Sequence, residues 1–315
     1  MNLENKRVCV TGGSGFLGSH VVEKLKSTGC EVLIPRSSVH DLRRREEVRH
    51  MYEEFEPNVV IHLAAQCGGI GINQKQPGRF LYDNLVMGLE MLDVAREFEI
   101  EKYVQVGTVC AYPKFCPVPF KEEDLWNGFP EETNAPYGIA KKTLMLQCQA
   151  YRQQYGMNAI SVVPVNLYGP RDNFDAFSSH VIPALIRKCV EAKYSGESRI
   201  KIWGTGNASR EFLYVEDCAE AIVSATQRYD GAEPINIGNG SEIKIKDLVE
   251  AVADVVGFHG IVEYDPSKPD GQPRRCLDVG KAKQLFNFEA KTDLMSGLRA
   301  TVEWYVKNSC SNQFV

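Results

Sequence analysis

Short apolar runs alternate with amphipathic or charged stretches through the first half of the chain, and this alternation predicts strands separated by helices. Residues 7–11 form the first run and 31–34 the second. The third, 58–65, is nearly continuous and bounded by polar residues, as a strand covered on both faces should be. Two more buried strands are predicted at 103–108 and 159–165, and a short last one at 234–238. Helices are expected at 19–27 and over the strongly charged 43–54, whose charges read as a wetted face. A longer helix carries Tyr137 and Lys141 and directs Gln147, Gln149, Arg152 and Gln153 toward water. His62, inside an apolar run, reads as a satisfied core histidine. The pattern is that of an α/β fold, a doubly wound parallel sheet of the Rossmann type.

From Gly169 the chain changes to longer loops and amphipathic pieces, as expected of a smaller α/β substrate lobe set at the carboxyl ends of the strands. Helices are predicted at 181–192 and 245–256, and a strand with its turn at 200–206. A helix at 215–229 should return with the strand at 234–238 to the first lobe. Closing helices are expected at 278–286 and 294–307, with a frayed tail from Asn308. The expected division is 1–168 plus 211–239 for the dinucleotide-binding domain and 169–210 plus 240–315 for the substrate domain.

The chain has 315 residues, 43% of them hydrophobic, enough for a large core. A net charge of −5 with interspersed signs leaves no basic face for nucleic acid or for a membrane surface. No run reaches membrane-spanning length and no signal-peptide pattern opens the chain, so a cytoplasmic protein is expected. The ten cysteines, Cys310 among them, are scattered without a C-x-x-C pair or a histidine cluster. That spacing disfavours a metal site and a disulfide framework, and most read as small buried hydrophobes.

The candidate chemistry begins at Gly12, Gly15 and Gly18, placed between the first strand and the first helix. Gly12 permits a tight turn, Gly15 lets a pyrophosphate approach the backbone, Gly18 lets helix and sheet pack closely, and the helix N-terminus attracts the anion. Ala64 and Ala65 leave room beside such a cofactor. The second strand runs into Arg36, Ser37 and Ser38 rather than an acidic residue, which suits the 2′-phosphate of NADP and leaves Asp41 to approach the adenine. Tyr137 and Lys141, four apart on a helix, share a face, and a fixed cation there should lower the phenol pKa and make Tyr137 a general acid/base. Thr108, at the end of its strand, could present a hydroxyl to a substrate carbonyl or equally cap the strand. Trp203 and Arg210 supply the flat aromatic and the cation that a nucleoside diphosphate needs.

Five segments narrow the reading: Gln66-Cys67-Gly68-Gly69-Ile70-Gly71-Ile72-Asn73, Tyr82-Asp83-Asn84-Leu85, Cys110-Ala111-Tyr112-Pro113-Lys114, Pro136-Tyr137-Gly138-Ile139-Ala140-Lys141, and the stretch from Asn166 to Phe174. The chain resembles the GDP-L-fucose synthase family of extended short-chain dehydrogenase/reductases. The resemblance implies NADP(H) as cofactor and a GDP-4-keto-6-deoxy-hexose as substrate, epimerised at carbons 3 and 5 and then reduced at carbon 4. It assigns the epimerisation protons to Cys110 and His180 and the reduction to Thr108, Tyr137 and Lys141. Thr108 stands where the family carries serine, and Val109 where a second serine is usual.

The same resemblance adds Phe16, Leu17, Leu63, Asn166 and His180 to the cofactor contacts, and lets Lys141 reach the nicotinamide ribose. Asn166, Arg187, Trp203 and Arg210 would touch the GDP-sugar, with Lys268 and Arg274 as phosphate contacts on a turn-rich loop that could equally be solvated. A homodimer is implied. The same residues also suit a redox-neutral nucleotide-sugar epimerase or a 4-ketoreductase acting on another nucleotide sugar. A non-catalytic NADP-binding regulator fits them less well.

Overall fold

The predicted apolar runs become β1 (Arg7–Thr11), β2 (Glu31–Leu33), β3 (Val59–His62), β4 (Lys102–Val106) and β5 (Ala159–Pro164) in a computed structural model that describes residues 1–309. They lie parallel in the order β2-β1-β3-β4-β5. Between them run α1 (Phe16–Lys26), α2 (Arg45–Phe55), α3 (Ile70–Lys75), α4 (Pro77–Glu97) and α5 (Ala135–Tyr155). Alternate strand residues enter different cores, since successive side chains point to opposite faces. Val8, Val10, Val59, Ile61 and Val104 pack on one side, and Cys9, Val60 and Tyr103 on the other.

After β5 the chain leaves the sheet, as expected near Asn166. β6 (Asn166–Tyr168), α6 (Val181–Ser195), β7 (Arg199–Trp203) and β8 (Ser209–Tyr214) start the second lobe, and α7 (Val215–Arg228) with β9 (Ile235–Ile237) returns to complete the six-stranded sheet beside β5. β10 (Glu242–Lys244), α8 (Ile245–Val256), β11 (Ile261–Asp265), α9 (Gly280–Phe286) and α10 (Leu294–Ser309) follow. β10, β8 and β6 form one small sheet, and β11 and β7 another. α6, α8 and α10 cover a separate core around Ile186, Leu248 and Leu298.

The structure differs from the sequence reading in several places. β8 pairs through its first half with β10 and through its second half with β6, so residues 166–168 and 211–214 lie in the sheet of the second lobe. Leu277, Ala282, Phe286 and Phe288 sit in the core of the large sheet, because α9 packs on β9 and α7, so the segment 240–315 is split between the lobes. α4, which the hydrophobic pattern did not reveal, lies between α2 and α5. On α5 only Gln153 of the four expected polar residues is fully exposed; Gln147 donates to the Leu89 carbonyl, Gln149 to that of Ala232, and Arg152 to those of Asp230 and Gly231. His62 is only half satisfied, with Nδ1 2.8 Å from Thr11 Oγ1 and a buried Nε2 that has no hydrogen-bond partner among the described residues. Helix α10 continues through Asn308, and Cys310 with the rest of the expected tail lies outside the described residues. Cys9, Cys148, Cys189, Cys218 and Cys276 are buried thiols, whereas Cys67 is exposed. Among the described residues no helix is long and apolar enough to cross a membrane.

Candidate active site

The carboxyl ends of the large sheet and the second lobe enclose a cavity of about 1160 Å³. Its floor is the turn from β1 into α1. Gly12 there has φ +69°, where an L side chain is strained, and a Cβ on it would lie 2.9 Å from the Ala64 nitrogen. A Cβ on Gly18 would meet the Gly12 carbonyl oxygen at 2.0 Å, so the helix can start this close to the strand only with glycine. The turn tightens enough for α1 to begin at Phe16, three residues earlier than expected, with no acidic residue in its first turn. A backbone cradle opening on a helix N-terminus fits the pyrophosphate of a dinucleotide. Gly15, Phe16, Leu17, Leu63, Ala64 and Ala65 line the same end.

At the centre stand Thr108, Cys110, Tyr137, Lys141, Asn166 and His180, all on the cavity wall. They come from the end of β4, the first turns of α5, β6 and the residue preceding α6. Thr108 acts as a cap, of the short turn that follows its strand. Its hydroxyl accepts from the Cys110 backbone N–H at 3.2 Å, capping the short 3₁₀ turn Val109–Ala111, and it also interacts with the Tyr137 phenol. Val109 is buried in the main core.

The approach of α5 to that turn depends on Gly138, where a Cβ would lie 2.3 Å from the Cys110 carbonyl oxygen. Because the obstacle is backbone, Gly138→Ala is expected to destabilise the fold by about 1–3 kcal/mol, although alanine is the better helix former. Thermal unfolding checks this, and a variant as stable as the parent would mean that α5 and the Cys110 turn separate without penalty.

The electrostatics of the Tyr137–Lys141 pair depart from expectation. Lys141 is buried, 2% exposed, and its ammonium donates to the Val106 carbonyl at 3.0 Å. Burial lowers its pKa to about 8, against an opposing influence from Cys67. The Tyr137 phenol is pushed well above its usual value by burial first and then by Cys67 and Cys110, while the Thr108 hydroxyl opposes the shift. Lys141 faces the end of β4 and is not among the groups that shift the phenol, so the predicted lowering by its cation is not seen and Tyr137 holds its proton more tightly than an ordinary phenol. His180 is shifted toward the neutral imidazole by withdrawal from bulk water inside the cleft and then by the Arg275 cation.

Arg187, Trp203 and Arg210 line the second-lobe wall. Trp203 is half exposed, and Arg187 is paired with Glu191 one turn away at 2.8 Å. Burial and then Arg275 lower the Arg210 pKa to about 9, and its guanidinium donates to the Ser209 and Asp270 carbonyls.

Three expected contacts are not on the wall. Arg36 is exposed beside the cavity, and Arg43 takes the place on its lining, where it holds Asp41 at 2.8 Å and lies 3.5 Å from Asp83. Hydrogen bonding to Arg43 keeps the Asp41 carboxyl down at about 2. Arg274 is turned outward against Glu242, and Arg275 points inward instead. Lys268 is exposed and off the lining, with its ammonium 5.4 Å from the Trp203 ring centroid. Arg43 and Arg275 were missed because each adjoins a charge on the same loop, and only the partner across the fold decides which one faces inward. Asp41, two residues before Arg43, was the available signal for the first.

Residues 8–238 match the NAD dependent epimerase/dehydratase family. Over 310 residues the chain is 44% identical to a GDP-L-fucose synthase of Sinorhizobium fredii, covering 98% of both chains. It superposes on a GDP-6-OMe-4-keto-L-xylo-heptose reductase from C. jejuni with a TM-score of 0.90 at 29% identity, covering 97% of this chain and 99% of the other. A GDP-L-fucose synthetase from Naegleria fowleri bound to NADP gives 0.87 at 29% identity, with 97% and 95% covered.

Proposed function

Because this chain belongs to the NAD dependent epimerase/dehydratase family, in its GDP-L-fucose synthase branch, we propose that it is an NADP-dependent epimerase/reductase of a GDP-4-keto-6-deoxy-hexose. The product is GDP-L-fucose or a close relative. The observation that carries the reading is the meeting of two chemical sets on one cavity: a reducing set, Thr108, Tyr137 and Lys141, and a proton-moving set, Cys110 and His180.

NADPH, when bound, supplies the hydride for carbon 4. The glycine turn and the α1 N-terminus hold its pyrophosphate, Asp41 and Arg43 line the adenosine end, and Lys141 holds the nicotinamide ribose. Tyr137, still protonated, gives its proton to the carbon 4 oxygen, and Thr108 steadies the charge on that oxygen. Carbons 3 and 5 flank the ketone, so their C–H bonds are acidic, and Cys110 and His180 exchange their protons before reduction. Arg187, Trp203 and Arg210 hold the GDP moiety. The protein works as a homodimer, a reading supported by the exposed Leu81 and Tyr82 on α4 and Leu146 and Tyr155 on α5, which packs against α4.

Incubation with GDP-4-keto-6-deoxy-mannose and NADPH tests the assignment. The expected result is GDP-L-fucose with one NADPH oxidised per product. An epimerised ketone with no NADPH oxidised would replace the reading with the redox-neutral one, and no turnover of this or related 4-keto sugar nucleotides would end it.

A further inference from the structure

We propose that Arg275 is a positioning residue for the epimerisation, held against the Cys110 sulfur so that its guanidinium neutralises that sulfur whenever the thiol has given up its proton. The inference rests on the reading of Cys110 given above. Arg275 is 5% exposed, and its Nη1 lies 3.5 Å from Cys110 Sγ and 3.4 Å from Asn166 Oδ1. Its Nε donates to Gln272 Oε1 at 3.2 Å, and no carboxylate pairs with it among the described residues. A buried cation without a counter-charge is costly, and it is retained where the chemistry brings a negative charge to it.

The surrounding chain fixes this geometry. Gln272, itself buried, donates to the Pro113 and Lys114 carbonyls at 3.1 and 2.9 Å, tying the Arg275 loop to the segment just beyond Cys110. From the other side the Glu211 backbone N–H binds the Arg275 carbonyl, and the buried Glu211 carboxylate accepts from the Leu277 N–H at 2.6 Å. Guanidinium and thiol are therefore held in register by one loop.

In each epimerisation step a C–H bond beside the ketone breaks. Its electron pair forms an enolate with the charge on the carbon 4 oxygen, and the proton passes to Cys110 or His180. The other member of the pair returns a proton to the opposite face and restores the C–H bond. In whichever direction the pair works, the sulfur is a thiolate at one end of the transfer, and the same cation disfavours a charged His180.

The test follows deuterium entering carbons 3 and 5 of the 4-keto sugar nucleotide in D2O with NADP+, so that no reduction intervenes. Arg275→Gln is expected to slow incorporation by on the order of 10²-fold, with affinities for GDP and NADPH unchanged. Arg275→Lys should retain more exchange than Arg275→Gln, and added guanidinium should partly restore Arg275→Ala. Parent-level exchange in Arg275→Gln overturns the proposal, as does a loss of GDP affinity in step with the loss of exchange, which would make Arg275 a diphosphate clamp. Cys110→Ser separates the two levels. If it exchanges like the parent, the assignment of Cys110 fails; if it is inert while Arg275→Gln is normal, only the role of Arg275 falls.

Discussion

Tyr137→Phe is expected to lower NADPH oxidation by roughly 10²- to 10⁴-fold, the usual worth of a positioned general acid, while deuterium from solvent still enters carbons 3 and 5. The phenol is pushed above its ordinary range by burial, so it carries its proton throughout the neutral range and can deliver it to the carbon 4 oxygen. Phenylalanine keeps the ring. Its edge-to-face contact with Phe80, centroids 6.4 Å apart, is retained, and the local fold should persist. Removing the hydroxyl leaves the oxygen that develops charge with the Thr108 donor alone. In the proposed assignment, exchange at carbons 3 and 5 belongs to Cys110 and His180 and does not need the phenol. Measured side by side, the two rates should separate. NADPH oxidation within tenfold of the parent would remove Tyr137 as the proton donor, and parallel loss of exchange would mean that the residue shapes the whole site.

The sequence revealed most where one physical requirement acts locally. Strands β1, β3, β4 and β5 were legible because each is buried on both faces and reads as an apolar run. The glycine turn was legible because its spacing follows from backbone geometry alone. Helix α4 was not. Pro77 opens it, and its buried side includes Asp83, Asn84 and Gly88 beside Met91 and Leu92, which blurs the apolar stripe. The reason lies in tertiary contacts: Asn84 exchanges hydrogen bonds with the backbone of Gln66 at 2.9 Å in both directions and so holds the cavity loop after β3. Gly88 admits the Leu144 side chain, whose nearest atom would be 2.2 Å from a Cβ.

The site was legible in its residue types and less so in its electrostatics. Helical spacing placed Tyr137 and Lys141 on one face, but the ammonium is drawn to a carbonyl 35 residues away in sequence, and no local rule reports that. The loop arginines show the same limit. Arg274 and Arg275 are chemically alike, and Glu242 on β10 and Cys110 after β4 sort them into an outward and an inward member. A motif names candidates, and long-range partners choose among them.

The cost of keeping Lys141 leads to a second large effect: Lys141→Met should be nearly inactive and yet more stable than the parent. Its ammonium is buried with the Val106 carbonyl as its hydrogen-bond acceptor, and its pKa falls from 10.5 to about 8. A depression of that size corresponds to destabilisation on the order of 3 kcal/mol while the group is charged. Methionine fills a similar volume without charge, and Gln105 Nε2 already donates to the Val106 carbonyl at 3.1 Å, so that oxygen keeps a partner. Below about pH 8 lysine is charged in both the folded and unfolded states, and the full penalty applies. Between about 8 and 10.5 the unfolded chain holds the proton and the folded one releases it, so the stability of the parent rises with pH. Denaturant unfolding of the two proteins without nucleotide should therefore show a stability gap in favour of Lys141→Met at pH 7 that narrows steadily above pH 8. A variant less stable than the parent at pH 7, or a gap independent of pH, would show that the buried ammonium is compensated in the folded protein. A lysine whose burial costs stability fits the proposed contact of its ammonium with the nicotinamide ribose, and the loss of NADPH oxidation measures that contribution directly.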